Sequence, residues 1–252
     1  MMGLFKANQK QKSLHTVSPD KLLLKEDTNF NIKEAYKAAR TNLMFSVPGK
    51  ECKKIVITSS YPAEGKTTVS SNLAITFAQT GARVLLIDGD MRKPKIHQAF
   101  GLSYEKGLSN ILGGFCESSE AIESSSYENL YIISAGHIPP NPAELLASGR
   151  MKILLEELGQ QFEYIFIDTP PINVVTDATV LAPITSGTIL VVRQDVTNQQ
   201  DIQEALAKLE LVDTKVLGFL LGGIKPQKGA MGKYGKYGKY GVGYGKYADY
   251  YV

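Results

Sequence analysis

The 252-residue chain has no tryptophan, only two cysteines and only three histidines. Cys52 and Cys116 supply neither a disulfide framework nor a metal-ligand spacing, so a reducing compartment is expected. His15, His97 and His137 likewise show no ligand spacing, and no chemistry is assigned to them. No apolar run approaches the ~18–20 residues needed to span a bilayer. The opening Met1-Met2-Gly3-Leu4-Phe5-Lys6 lacks the apolar stretch of a secretory signal. The expected place is the cytoplasm, with any membrane association made through a partner or through basic ends.

Net charge is also small, +3, but it is unevenly placed. Residues 1–25 carry +4 and residues 225–252 carry +5, which leaves −6 for the middle. Basic ends on an acidic body suit an anionic surface or an acidic partner. Three segments follow. Residues 1–30 are polar, lysine-rich and aperiodic, and read as a mobile arm. Residues 31–224 read as the folded domain. Beyond Lys225, Gly-Lys-Tyr recurs at 232–234, 235–237, 238–240 and 245–247, the composition of a disordered, low-complexity tail.

Within the middle segment, Asn31 and Glu34 have the spacing of a capping box before a helix over about 32–46, ended by Pro48-Gly49. Ile55–Thr58, Val84–Ile87, Leu130–Ser134, Tyr164–Ile167, Thr188–Val192 and Val216–Leu221 read as strands. Helical patterns lie between most of them, from Lys66 to about Thr80, over Ala143–Gln161 and over Gln199–Leu211. Strands alternating with helices, several apolar throughout, predict an α/β fold with a mostly parallel sheet covered on both faces.

Ser60-Tyr61-Pro62-Ala63-Glu64-Gly65-Lys66-Thr67 joins a predicted strand to a predicted helix, the context a phosphate-binding P-loop requires. Ser60, Ala63, Glu64, Gly65, Lys66, Thr67 and Thr68 are the candidate nucleotide-binding residues. Backbone N–H groups at the helix start favour phosphate. Lys66 would bridge the β- and γ-oxygens of ATP, and the Thr67 hydroxyl would ligate Mg²⁺. Ser60 stands where such loops usually have glycine. Two apolar strands end in acids: Leu85-Leu86-Ile87-Asp88-Gly89-Asp90-Met91-Arg92 and Ile165-Phe166-Ile167-Asp168-Thr169-Pro170-Pro171. Carboxyl ends of parallel strands line the ligand crevice, so Asp88, Asp90 and Asp168 should converge near the loop. Carboxylates and water suit Mg²⁺, and one acid can accept a hydroxyl proton. The blander reading is that these acids cap the helices that follow. Arg92 steadies phosphate charge or makes a surface ion pair, and the sequence does not choose.

These motifs resemble the Walker A, A′ and B motifs of the bacterial tyrosine kinases of capsular and exopolysaccharide synthesis, most closely the cytosolic form of streptococcal capsule systems. The resemblance covers roughly residues 30–252 and includes Glu34–Asn42 and Gly136–Leu146. It implies a kinase that uses Mg·ATP to phosphorylate C-terminal tyrosines of neighbouring subunits, here Tyr234, Tyr237, Tyr240, Tyr244, Tyr247, Tyr250 and Tyr251. It further implies that Asp88 helps activate the tyrosine hydroxyl, with Asp90 and Asp168 serving the metal and Lys66 the transferring phosphoryl group. The implied partners are a membrane-anchored modulator that recruits the chain to the inner face of the membrane, a cognate phosphotyrosine phosphatase, and further copies in a ring. The ring helix of the family reads Glu-x-x-Arg-x-x-Arg; here it reads Glu34, Lys37, Arg40, and lysine lacks the planar fork for bidentate pairing. Gly218–Gly222 has glycine where such proteins often place a base-contacting asparagine.

Two other readings compete. A partitioning or division-site ATPase switch shares the architecture, but its cross-dimer lysine near the loop start is replaced by Tyr61. A lysine–tyrosine tail can bind nucleic acid by charge and stacking, but that leaves the phosphate loop unexplained. Nucleic acid is therefore not expected as the main partner. Seven of the thirteen tyrosines fall within the last nineteen residues, which a merely solubilising tail does not explain.

Overall fold

A computed structural model describes residues 22–49 and 51–224. The seven tail tyrosines and most of the expected arm lie outside these residues. Apolar, β-branched runs form β1 (Lys53–Ser59), β2 (Val84–Asp88), β4 (Leu130–Ile133), β5 (Tyr164–Asp168), β6 (Gly187–Arg193) and β7 (Val216–Gly222), with a short β3 (Ile122–Ser124). They make one sheet in the order β3-β4-β2-β5-β1-β6-β7. All pairings are parallel except that of β3 with β4. Successive side chains go to opposite faces. Ile55, Ile57, Leu86 and Phe166 enter one core, and Val56, Leu85, Ile87 and Ile165 the other. Burial on both sides is why these strands are apolar throughout.

The helices are α1 (Phe30–Ser46), α2 (Lys66–Ala78), α3 (Ile96–Phe100), α4 (Leu108–Gly113), α5 (Ser118–Ala121), α6 (Pro142–Leu146), α7 (Gly149–Leu158), α8 (Asp177–Leu181) and α9 (Gln199–Glu210). Leu43 of α1 and Leu73, Ile75 and Phe77 of α2 fill the first core. Leu108, Leu146, Leu155, Leu181 and Leu209, from α4, α6, α7, α8 and α9, fill the second. The expected α/β architecture with a mostly parallel sheet is thus the one observed.

Three local expectations are corrected. The cap of α1 is Asn29, whose side chain accepts from Asn31 N at 2.9 Å, while Glu34 turns to Lys37 instead of closing a capping box. The helix read over Ala143–Gln161 is two helices, because the Ser148 side chain accepts from Met151 N and starts α7 afresh. Third, the end of the expected mobile arm is packed. Leu23 and Leu24 are buried, Leu24 N donates to Asn72 Oδ1 at 2.8 Å, and the Tyr127 hydroxyl donates to Leu24 O at 2.9 Å. Among the described residues, no helix is long and apolar enough to cross a membrane.

Candidate active site

At the carboxyl end of β1 the chain turns through residues 60–65 into α2. Ala63 and Gly65 have φ of +68° and +94°, a left-handed backbone that glycine adopts freely and alanine only at a cost of about 1–3 kcal/mol. The loop is braced from outside. The Glu64 carboxylate accepts from Tyr61 N at 3.1 Å and from Thr197 Oγ1 at 2.6 Å. Arg193 Nη1 donates to Ala63 O at 2.9 Å. Of the expected nucleotide-binding residues, Ala63, Gly65, Lys66, Thr67 and Thr68 line a cavity of about 400 Å³. Ser60 and Glu64 do not line it. Both are buried, Glu64 because its carboxylate is committed to bracing the loop. The thirteen-residue α2 points its N-terminus at the cavity, where unpaired N–H groups and the helix dipole favour an anion.

Register brings the acids together. Asp88 at the end of β2 stands opposite Asp168 at the end of β5. Gly89 allows this: a Cβ there would lie 2.8 Å from Asp168 O, to which Gly89 N donates at 2.7 Å. Lys66 Nζ reaches across to Asp90 Oδ2 at 2.8 Å and Asp168 Oδ2 at 3.5 Å. The Thr67 hydroxyl donates to Asp168 Oδ2 at 2.7 Å. Burial alone would lower the Lys66 pKa, but the Asp168 and Asp90 carboxylates outweigh it and raise it. Burial raises Asp168, with the Lys66 charge pulling the other way.

The two acids of the Asp-Gly-Asp turn divide the work. Asp90 lines the cavity and its Oδ1 accepts from Lys93 N at 3.0 Å. Asp88, expected to act on the tyrosine hydroxyl, is fully buried and does not line the cavity. Its Oδ2 accepts from Lys95 N at 3.1 Å and Ile96 N at 3.0 Å, and its Oδ1 from Asp90 N at 3.2 Å. Burial, with Asp168 adding repulsion, pushes its pKa up to about 7.

Thr67, Asp90 and Asp168 offer hard oxygen donors of the kind a small divalent cation takes. Asp168 Oδ1 is buried with no hydrogen-bond partner among the described residues, so it has an acceptor position to offer. No group of three His, Cys, Asp or Glu side chains among the described residues makes a self-sufficient metal cage. A cation completed by water and substrate phosphate fits that donor set.

The sequence left Arg92 open, and it makes a bidentate pair with Asp177. Nε donates to Oδ1 at 3.1 Å and to Oδ2 at 3.2 Å, and Nη2 to Oδ2 at 3.1 Å. Sequence reasoning missed Asp177, which is fully buried at the start of α8. It also missed Arg193, although its place at the end of β6 follows the same strand-end rule. Pro170, Pro171, Val174 and Val175 supply an apolar wall. The residues expected to build an oligomer are engaged within the chain. Glu34 pairs with Lys37 at 2.7 Å, and Arg40 Nη1 donates to Thr76 O at 2.8 Å.

A family model described as an AAA domain matches residues 52–217. The tyrosine-protein kinase YwqD of Bacillus subtilis is 40% identical over 195 residues, which cover 77% of this chain and 82% of YwqD. The tyrosine-protein kinase CpsD of Streptococcus pneumoniae is 40% identical over 190 residues, covering 75% of this chain and 82% of CpsD. Among solved structures, the kinase domain of the Escherichia coli tyrosine kinase ETK superposes with a TM-score of 0.75 at 34% identity. That match covers 81% of this chain and 80% of the ETK domain.

Proposed function

Because the chain belongs to the bacterial tyrosine kinases, we propose that its cavity binds Mg·ATP and passes the γ-phosphoryl group to tail tyrosines of a neighbouring copy. The observation that carries this reading is the arrangement of Lys66. It stands at the start of α2, where phosphate is favoured, within reach of two carboxylates from two other strand ends. A structural ion pair alone would not need a left-handed phosphate loop beside it.

Lys66 stabilises charge on the transferring group, and the α2 N-terminus holds the phosphates. Thr67, Asp90 and Asp168 would hold Mg²⁺, which would supply positive charge to offset that of the transferring phosphoryl group. In the transfer, the tyrosine oxygen bonds to the γ-phosphorus, the bond to the β-phosphate oxygen breaks, and ADP leaves with that electron pair. The hydroxyl proton goes to a carboxylate. Asp88 is our assignment, because it ends β2 opposite Asp168 and directly behind Asp90, the acid that faces the cavity.

The acceptors are Tyr234, Tyr237, Tyr240, Tyr244, Tyr247, Tyr250 and Tyr251, and the role is regulation of capsular or exopolysaccharide synthesis. A membrane-anchored modulator recruits the chain to the inner face of the membrane, and a phosphotyrosine phosphatase reverses the reaction. Copies assemble through α1, which carries Glu34, Lys37 and Arg40 and exposes Met44 and Phe45. Incubation with Mg·ATP, with and without the modulator's cytosolic segment, followed by mass spectrometry of the tail, tests the reading. Phosphate is expected on the tail tyrosines, and a tail that stays unmodified in both arms overturns it.

A further inference from the structure

Asp88 and Asp90 draw backbone amides inward, and this dictates where the side chains of the following loop go. The N–H groups of Lys93, Lys95 and Ile96 turn toward the two acids. The side chains of Arg92, Lys93 and Lys95 are left at the surface, and all three line the mouth of the cavity. Arg92 is tied to Asp177. Among the described residues, the Lys93 and Lys95 ammonium groups make no ion pair or hydrogen bond. Unpaired cations around an acidic floor are a poor reception for an unmodified tail, in which Lys233, Lys236, Lys239 and Lys246 each precede a tyrosine. They suit an anion.

We propose that Lys93 and Lys95, beside the Asp177-bound Arg92, form a phosphotyrosine-binding rim, so that a tail already phosphorylated at one tyrosine is the preferred acceptor for the next. The proposal rests on the kinase reading above and deepens it by naming the acceptor's form. A phosphotyrosine carries about −1.5 to −2 charges, enough to offset the lysines beside it and pair with the rim. Tyr234, Tyr237 and Tyr240 are three residues apart. Three residues of extended chain span about 10 Å. A phosphate seated on the rim thereby tethers an unmodified tyrosine within reach of the floor of the same cavity, and local concentration does the rest. Phosphorylation of the tail becomes self-reinforcing after the first event.

The test uses the full chain with two synthetic peptides of residues 232–241, one unmodified and one bearing phosphate on Tyr240. Binding is read by fluorescence anisotropy, and turnover by mass spectrometry in saturating Mg·ATP. The phosphopeptide is expected to bind about tenfold more tightly and to show about tenfold higher kcat/KM, an advantage that 0.5 M salt reduces. In a Lys93→Gln/Lys95→Gln variant both ratios should fall to about one, while Lys93→Arg/Lys95→Arg should keep them. If the rim serves only the nucleotide, binding favours the phosphopeptide without ATP, but the turnover ratio in saturating ATP is one, and the proposal fails. It also fails if the glutamine variant keeps the full ratio. Tighter phosphopeptide binding with no turnover of either peptide would retain the rim and sink the kinase reading instead.

Discussion

Asp88→Asn should make the nucleotide-free protein more stable at alkaline pH and less active at every pH. In the folded chain Asp88 is fully buried with its pKa pushed up to about 7, against 3.8 for an ordinary aspartate. Because the folded value is the higher one, folding takes up a proton. The associated stability is complete below about pH 3.8 and is lost as pH rises through about 7. At pH 8 that gap corresponds to about 4 kcal/mol against the folded state, of which about 3 kcal/mol has been recovered at pH 5. Asparagine removes the ionisation but keeps one acceptor oxygen. With that oxygen facing Lys95 N and Ile96 N, its amide group meets Asp90 N–H donor to donor, costing about 1–3 kcal/mol. The variant should therefore gain about 1–3 kcal/mol at pH 8 and be level with or slightly below the parent at pH 5. The offset depends on that lost hydrogen bond, but the pH slope does not. Thermal denaturation of both proteins from pH 5 to 8, without nucleotide or divalent cation, should show the difference in Tm swing by about 6–12 °C. A difference in Tm that stays constant across the range would mean that Asp88 ionises normally in the fold. Turnover should fall at least ~100-fold, and near-normal turnover would remove Asp88 from the chemistry.

Lys66→Met removes the charge at the transferring phosphoryl group, worth on the order of 3–4 kcal/mol, and should abolish tail phosphorylation on anti-phosphotyrosine blots. Circular dichroism should show the fold retained. Mixing a full-length Lys66→Met chain with an active chain whose seven tail tyrosines are phenylalanine separates the routes of transfer. Phosphate on the inactive chain demonstrates transfer between copies, and its absence there would point to transfer within one chain. Leu24→Ala should cost about 2–4 kcal/mol in urea unfolding, because Leu24 is only 4% exposed and pinned to Asn72. An unchanged midpoint would show that residues 22–29 contribute nothing to the core.

Much of the molecule was legible in the chain because its signals are local or periodic. Apolar β-branched runs between turn residues named β1, β2 and β4–β7, and runs apolar throughout required helices on both faces of the sheet. Gly-Lys-Thr between a strand and a helix marked the phosphate loop. Acids at strand ends pointed to one crevice because parallel strands share one carboxyl end. Where a feature is shorter than the period that reveals it, the pattern is silent. The three residues of β3 and the four to six of α3, α4, α5 and α8 are examples. So is the break between α6 and α7, which rests on one serine side chain.

Tertiary structure decided which carboxylate faces the substrate and which faces the backbone. Asp88 and Asp90 are chemically identical and two residues apart, yet one collects three backbone N–H groups in a fully buried position while the other meets Lys66 at the cavity. It decided that Arg92 is spent on Asp177, eighty-five positions away. It also packed the last residues of an apparently aperiodic arm, since Leu23 and Leu24 are apolar without being periodic and needed α2 to bury them. Periodicity and turn chemistry act over a few residues and can be read along the chain. Burial and the choice of hydrogen-bond partner depend on what distant segments bring to the same point, and only the folded sheet supplies that.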